Sequence, residues 1–530
     1  MRTLIQSSRL LSATAAAFLV LSCSTNPVTG KREVQFVSEG QEIQTGQQNY
    51  APMRQSEGGD YEVLPELTAY VNEVGQKLAA ASGNITVKER KLPYEFKVLN
   101  SSVPNAWALP GGKIAVNRGL LTELNNEAEL AAVLGHEIVH AAAGHGAQAQ
   151  TRGVFLQGGL VLAQLGAALG GVDEQAGSLL MAGSGVGAQL VTTRYGREAE
   201  LESDLYGTRL MKSAGYDPAA AVSLQETFVR LSEGKKQNWL NGLFASHPPS
   251  AERVARNRET VAALGAGGDL GAARYTAHIA PLKQLKPGYD KYDQALAAMN
   301  KKDVAGAKSL AAEAVQLVPR EGQFHQLLGD IALNEKRYQD AMPYYQKAMD
   351  LNPGYFGSWL GAGVAQYRLG NRQQARQWLT HSQELLPTAP ASLYLGNMAR
   401  DSGDVEGALK LYQNAATSES SIGQEAAREA VLMDLPRNPA NYVAAAVQLG
   451  NDGKAVVVVQ NRAPIALGAI AITPVVVNAA GQISIQGRAV TINGPLAAGQ
   501  RTTIDAGLGA LSAEQLRAVR VRVDSARVAQ

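Results

Sequence analysis

Two histidines four residues apart, with a glutamate directly after the first, form the pattern best suited to chemistry in this chain: His136, Glu137 and His140. On a helix these spacings place both imidazoles on one face, where they can reach a single ion. Zinc accepts imidazole nitrogen and keeps a coordination position for water, and Glu137 can take a proton from that water. By chance, this pattern would arise in fewer than about one in a hundred chains of this composition. It predicts a hydrolytic site with one Zn²⁺ per chain.

A further protein ligand must come from elsewhere, and an acidic segment begins 60 residues after His140. Glu200 and Asp204 are four residues apart and share a helix face, so one can bind zinc while the other orients a ligand imidazole. The alternative is a solvated acidic helix face, which would be preferred if the first motif were absent. Glu202 points away from that face and is expected at the surface.

The elements around these residues indicate a mixed α/β domain, mainly α-helical, over residues 32 to about 270. Ser38 with Gln41 forms a capping box that opens the first helix. Asn126 with Glu129 is expected to cap the helix that carries the histidines, which should run past His145.

Residues 288–420 carry a 34-residue period, which is typical of tetratricopeptide repeats (TPRs). Small residues at fixed places let two helices pack closely, and a proline ends the second helix. Such helical hairpins stack into a solenoid with a concave face, and a protein partner is expected to dock there. The residues that keep the interval are Pro319, Pro353 and Pro387, Gly329 and Gly363, and Ala307, Ala341 and Ala375.

From about residue 437 to 530 the pattern changes to short β-branched runs separated by Gly, Asn and Pro turns. The run Lys454–Gln460 after an Asn-Asp-Gly turn is one example. Such a series predicts a C-terminal β-sandwich. It contains no catalytic constellation.

Four segments together resemble the gluzincin metallopeptidase family of HtpX-like and prenyl-protein endopeptidases. They are residues 105–112 (NAWALPGG), 136–140 (HEIVH), 200–204 (ELESD) and 246–253 (SHPPSAER). The TPRs narrow the resemblance to the secreted branch typified by the outer-membrane β-barrel assembly-enhancing protease. The resemblance covers residues 24–420 and implies a zincin-type catalytic domain.

The resemblance also implies a role for each matching position. Zinc would be held by His136, His140 and Glu200, with Glu137 as general base and Asp204 in the second shell. His247 would either steady the transition state or cap the metal as a latch, and Arg253 would stabilise the developing oxyanion. Asn105, Ala106, Trp107 and Ala108 would form an edge strand that pairs with extended substrate. His145 is interpreted as structural.

Residues 1–22 read as a signal peptide, with Arg2 and Arg9 before an apolar segment. Val20-Leu21-Ser22-Cys23 resembles a lipobox, so Cys23 is expected to be acylated and to join the membrane, with residues 23–31 as a tether. An ordinary signal peptide with an incidental cysteine is the alternative. Ser24 is not the aspartate that retains lipoproteins at the inner membrane, which favours the periplasmic face of the outer membrane.

Net charge and hydropathy indicate whether the chain is expected to bind nucleic acid or to cross a membrane. The net charge of +2 gives no reason to expect nucleic acid. The stretch 153–172 has no charge and is long enough to span a bilayer, but its glycines and glutamines favour packed helices instead.

Two functions remain open at this stage. One is an endopeptidase of the bacterial envelope that degrades misfolded or stalled proteins, in quality control of outer-membrane assembly. The other is a TPR chaperone or scaffold whose protease site is normally latched by His247. Replacement of Glu137 by Gln discriminates between them.

Overall fold

The computed structural model describes residues 23–34, 37–88, 90–149, 195–233, 242–449, 455–478, 482–508, 515 and 517–529. The chain forms two compact units, Met1–Ser358 and Trp359–Gln530. The expected signal peptide at 1–22 and the charge-free stretch at 153–172 lie outside the described residues. Among the helices that are described, none combines the length and the apolar character needed to cross a bilayer.

The first unit begins with a hairpin of β1 (Cys23–Thr25) and β2 (Arg32–Val34), which pair antiparallel. Helices α1 (Glu39–Ser56) and α2 (Pro65–Ala81) follow. The predicted Ser38–Gln41 capping box at the start of α1 is confirmed, with both reciprocal hydrogen bonds present. Strands β3 (Glu95–Leu99), β4 (Ala106–Leu109) and β5 (Lys113–Asn117) come next.

These three strands form a sheet of order β3-β5-β4, in which β3 runs parallel and β4 antiparallel to β5. Helix α2 crosses this sheet closely because Gly75 has no side chain. A Cβ at Gly75 would lie 2.5 Å from the ring of Phe96. Ala106 and Ala108 pack into the main core, whereas Trp107 and Leu109 pack into a smaller cluster with Tyr50. Both faces of β4 are therefore buried.

The remaining helices of this domain are α3 (Arg118–Leu121), α4 (Glu127–Ala143), α5 (Arg197–Ser213), α6 (Ala219–Glu233), α7 (Leu243–Ser246) and α8 (Ala251–Leu264). Helix α4 is buried along its whole length. Asn126 caps its start by accepting the N–H of Glu129 at 2.9 Å, as expected. The expectation that α4 runs past His145 is wrong: it ends at Ala143, because Gly144 adopts a left-handed φ of 71°.

Helix α9 (Ala272–Asn300) leads into the repeats, which continue with α10 (Val304–Leu317), α11 (Gly322–Asn334) and α12 (Tyr338–Leu351). Next come α13 (Phe356–Arg368), α14 (Arg372–Leu385), α15 (Ala389–Asp401), α16 (Val405–Ala416) and α17 (Ser421–Asp434). The periodic alanines Ala307, Ala341 and Ala375 are fully buried. Gly329 faces the ring of Tyr345 at a distance that leaves no room for a Cβ. The period thus marks helix contacts, as predicted.

The C-terminal strands are β6 (Val443–Leu449), β7 (Ala455–Asn461), β8 (Leu467–Val477), β9 (Ile483–Gln486), β10 (Val490–Ile492), β11 (Arg501–Asp505) and β12 (Val519–Val528). They form two small antiparallel sheets, one of order β11-β7-β6 and one of order β10-β8-β12 with β9 beside β8. Residues of both sheets, Val457 and Ile472 among them, share one apolar cluster. The sandwich arrangement of the two sheets stays a prediction.

Candidate metal centre

Four buried side chains converge in the first unit: His136, His140, Glu200 and His247. Each offers one ligand atom, and these atoms all lie within 4.8 Å of one another. The Nε2 atoms of His136 and His140 are 3.0 Å apart. Glu200 lies 3.5 Å from the first and 3.4 Å from the second. The structure thus brings together the residues that the two sequence motifs supplied, and adds His247 as a fourth possible donor.

The two motifs meet because α4 and α5 cross at glycines. A Cβ at Gly207 on α5 would lie 3.0 Å from the backbone nitrogen of His136, and one at Gly135 on α4 would lie 3.2 Å from the carbonyl of Gly207. The absence of both side chains lets the helix backbones approach closely. Asp204 and Glu200, one and two turns before Gly207, then reach the imidazoles.

The electrostatics of the cluster favour a cation. Burial lowers the pKa of His136, but hydrogen bonds to Asp204 and Glu200 outweigh this and raise it to about 9. The pKa of Glu200 falls well below its usual range because His247 and the other two histidines offset the cost of burial. Burial lowers the pKa of His140. Two imidazoles, one of them held neutral, and an ionised carboxylate form a donor set that suits zinc.

Asp204 lies beside the cluster, where its carboxylate can orient the imidazole of His136. Its Oδ1 is 3.0 Å from Nδ1 of His136, which leaves Nε2 of that ring for an ion. Arg253 holds the same carboxylate by two hydrogen bonds of 2.6 and 2.7 Å. The proximity of Arg253 lowers the pKa of Asp204 against the effect of burial.

Arg253 was expected to face a developing oxyanion. Its guanidinium also lies 2.9 Å from Glu200 and donates to the carbonyl of Pro248 at 3.2 Å. These contacts give Arg253 a positioning role toward Asp204 and Glu200. The oxyanion role stays a prediction.

His145 and Glu202 lie behind His140, on the side away from His136 and Asp204. Nδ1 of His145 is 2.9 Å from Nδ1 of the ligand candidate His140, and its Nε2 is 3.4 Å from Glu202. The expectation that Glu202 is a surface residue is wrong: its carboxylate also accepts a 2.9 Å hydrogen bond from Asn26, which is buried. Asn26 was missed, although an Asn-Pro pair signals a turn.

His247 and Glu137 face each other across the cluster. Nδ1 of His247 is 3.0 Å from Glu200 and 3.3 Å from Nε2 of His136, while its Nε2 is 3.5 Å from Glu137. Within the described part of the chain, Oε2 of Glu137 and Nε2 of His247 make no hydrogen bond although both are buried. Buried polar atoms are rarely left unpaired, so these two favour a further polar ligand in the site.

The predicted substrate-binding residues 105–108 belong largely to β4, at the edge of its sheet. Glu57 anchors their start by accepting hydrogen bonds from Asn105 at 3.1 Å and Asn117 at 2.6 Å. The N–H of Leu243 donates a hydrogen bond of 2.9 Å to the carbonyl of Pro104, so α7 begins beside the start of β4. Because the side chains of β4 are buried, only its backbone can be offered to a ligand.

A cavity of about 30 Å³ adjoins His136 and Glu137. It lies between α4, α5 and α6, and its wall includes Val133, Leu224 and Phe228. A space of this size holds a water molecule or two.

Comparison with known proteins places this geometry in a family. The profile of peptidase family M48 matches residues 65–261, and TPR profiles match residues 292–356 and 332–394. Metalloprotease YcaL of Escherichia coli is 33% identical over 187 residues, which are 35% of this chain and 68% of that protein. Mitochondrial metalloendopeptidase OMA1 of Schizosaccharomyces pombe is 34% identical over 44% of this chain and 65% of its own length.

The β-barrel assembly-enhancing protease of E. coli is 28% identical over 249 residues, which are 45% of this chain and 47% of that protein. The chain thus spans about half to two thirds of these last two relatives.

Proposed function

Since the chain belongs to peptidase family M48, we propose that it is a zinc-dependent endopeptidase of the bacterial envelope that cleaves misfolded or stalled proteins. His136, His140 and Glu200 would hold the zinc, which supplies a Lewis acid that polarises the scissile carbonyl and acidifies water. The observation that carries this proposal is the convergence of these three ligands, with Glu137 directly beside them, in one buried cluster.

Glu137 is the residue best placed to move protons. Its Oε2 has no hydrogen-bond partner among the described residues, so it can hold a water molecule and accept its proton as that water attacks the carbonyl carbon. The same carboxyl group can then deliver the proton to the departing amine. Asp204 keeps His136 in one tautomer during both steps, since the ring's Nδ1 faces its carboxylate.

Substrate recognition would use the backbone edge of β4. An extended peptide can add to a strand edge through main-chain hydrogen bonds. Such binding depends little on the identity of the substrate side chains, so it would accept unfolded segments of many sequences. Folded proteins would be excluded, because their backbone groups are already hydrogen-bonded. This matches a role in quality control.

The remaining parts of the chain would bring the enzyme to its clients. Acylation of Cys23 would attach it to the outer membrane from the periplasmic side, and the TPRs would bind a protein partner. The relation to the β-barrel assembly-enhancing protease supports an envelope role. The scaffold alternative receives no support from the relatives, which are named as proteases.

The test offers the purified chain one outer-membrane β-barrel protein in two states, unfolded by dilution from urea and folded in detergent. We expect cleavage of the unfolded state only, and none by the Glu137→Gln variant. Equal cleavage of the folded state would contradict the quality-control role. Residual cleavage by Glu137→Gln would point to a contaminating protease or another catalytic group.

A further inference from the structure

The hairpin that follows Cys23 packs against the end of the catalytic helix. Val28, in the turn between β1 and β2, is 1% exposed and shares a small apolar cluster with Ala142 and Ala143, the last two residues of α4. The carbonyl of Pro27 accepts the N–H of Val87 at 2.8 Å. The segment expected to act as a tether is therefore folded onto the domain.

Asn26 has two separate sets of contacts in this hairpin. Its Oδ1 accepts the N–H groups of Val28 and Thr29, at 2.9 and 3.1 Å, and so forms the turn. Its Nδ2 donates to Glu202 at 2.9 Å and to Glu33 at 3.2 Å. Only the bond to Glu202 leads toward the metal centre.

A continuous chain of contacts leads from Asn26 to a zinc ligand. Nδ2 of Asn26 and Nε2 of His145 both meet Oε1 of Glu202, at 2.9 and 3.4 Å. Nδ1 of His145 in turn meets Nδ1 of His140 at 2.9 Å. Three of the four members of this chain, His140, His145 and Asn26, are at least 96% buried.

The hydrogen positions along this chain are mutually consistent. If Nε2 of His140 binds zinc, its Nδ1 carries the proton and donates to Nδ1 of His145. His145 is then protonated on Nε2, which faces the carboxylate of Glu202. That carboxylate oxygen accepts from both His145 and Asn26. Each neighbouring pair thus consists of one donor and one acceptor.

We propose that Asn26, Glu202 and His145 form a positioning relay that fixes the tautomer and orientation of His140, so that the N-terminal hairpin is part of the metal centre. The relay does for His140 what Asp204 does for His136. It ends three residues from Cys23, about 10 Å of extended chain, so an acyl group there would hold the membrane close to the catalytic domain. The inference rests on the proposed function, because it requires His140 to bind zinc.

The most specific variant is Asn26→Asp. It keeps the Oδ1 acceptor that forms the turn, but replaces the Nδ2 donor with an oxygen that repels Glu202. We expect its zinc Kd, measured by chelator competition, to rise about threefold, which is less than the roughly tenfold rise expected when a direct hydrogen-bond partner of a ligand is lost. Imidazole ¹⁵N NMR of the zinc-loaded protein should show a weakened Nδ1–H signal for His140.

Two further variants separate positioning from folding. Val28→Ala removes hairpin packing and leaves the relay, so it should lower the melting temperature without changing the zinc Kd. Glu202→Ala removes the carboxylate oxygen that accepts from Nε2 of His145, so it should raise the zinc Kd at least as much as Asn26→Asp does.

Three results would overturn the relay. They are an unchanged zinc Kd in Asn26→Asp, an equal rise in Val28→Ala, and an unchanged zinc Kd in Glu202→Ala. A wild-type protein that binds no zinc would instead overturn the proposed function itself, and so the two failures are distinguishable.

Discussion

Arg253 donates two hydrogen bonds to the carboxylate of Asp204, of 2.6 Å from Nε and 2.7 Å from Nη2, and both residues are buried. Asp204 in turn faces Nδ1 of His136. The guanidinium of Arg253 therefore fixes the carboxylate of Asp204. That carboxylate in turn orients the imidazole of His136, a candidate metal ligand. A lysine has one charged nitrogen and cannot reproduce this fork.

For this reason we expect Arg253→Lys to raise the zinc Kd about tenfold and to lower the free energy of unfolding by about 1.5–3 kcal/mol. Chelator competition and thermal unfolding measure the two effects. If kcat falls while the zinc Kd and the stability stay unchanged, Arg253 acts on the oxyanion, as the family resemblance implies.

The crossing of α4 and α5 offers a second test. In Gly207→Ala, the new Cβ would approach the backbone nitrogen of His136 to 3.0 Å, so the two helix backbones must move apart by a few tenths of an ångström and shift Glu200 relative to the histidines. Zinc affinity should fall about tenfold or more. Gly40→Ala in α1 is the matched control, because among the described residues no atom beyond its own helical turn and chain neighbours lies within 4 Å of its Cβ position. Equal zinc affinity in both variants would contradict the close-crossing argument.

The start of α4 gives a prediction about pH. Glu127 accepts hydrogen bonds from Tyr70, Tyr216 and Arg274. Burial raises the pKa of Glu127, but these bonds outweigh burial and lower it below 4.5. A lowered pKa stabilises the fold above the unfolded value, and this stability is lost as the pH falls through the folded value.

Glu127→Gln should therefore cost about 1.5–3 kcal/mol at pH 7, and the difference from wild type should shrink as the pH falls below about 4.5. Denaturant unfolding between pH 3.5 and 8 measures it. A difference that does not change with pH would show that the charge of Glu127 contributes nothing.

His247 sits where it can compete with substrate, since its Nδ1 is 3.3 Å from Nε2 of His136 and 3.0 Å from Glu200. If this contact is a latch, the resting enzyme is only partly competent. Cleavage of an unfolded protein by His247→Ala should then rise at least about threefold. His325→Ala, in α11, serves as a control. A loss of cleavage at unchanged zinc content would assign His247 to the transition state instead.

Local spacing was enough to predict the first half of the site. His136 and His140 are four residues apart on one helix, so the helical repeat alone fixes their common face, and Glu137 directly follows the first of them. Glu200 and Asp204 needed a second motif, because which of the two faces the ion depends on how α5 crosses α4. The paired glycines at 135 and 207 carry that information, but only the folded chain shows that they meet.

The contacts behind His140 could not be predicted from the spacing of residues in the sequence. Asn26 and Glu202 are 176 residues apart, and their contact depends on how the N-terminal hairpin docks on α4. Glu202 was expected at the surface because its face of α5 was assumed to be open to solvent. The N-terminal hairpin contacts that face through Asn26. The end of α4 was predictable, since Gly144 is a common helix stop. The 34-residue period identified the repeats because it depends on contacts between neighbouring helices.

The central claim is that a zinc ion held by His136, His140 and Glu200 works with Glu137 to hydrolyse peptide bonds. The direct measurement is the zinc content of purified wild type and Glu137→Gln together with their rates of casein cleavage. We predict one zinc per chain in both proteins and efficient cleavage by wild type alone, with the rate of the variant lower by about a hundredfold to ten-thousandfold. Absence of zinc from the wild type, or equal cleavage by the two proteins, would contradict the account.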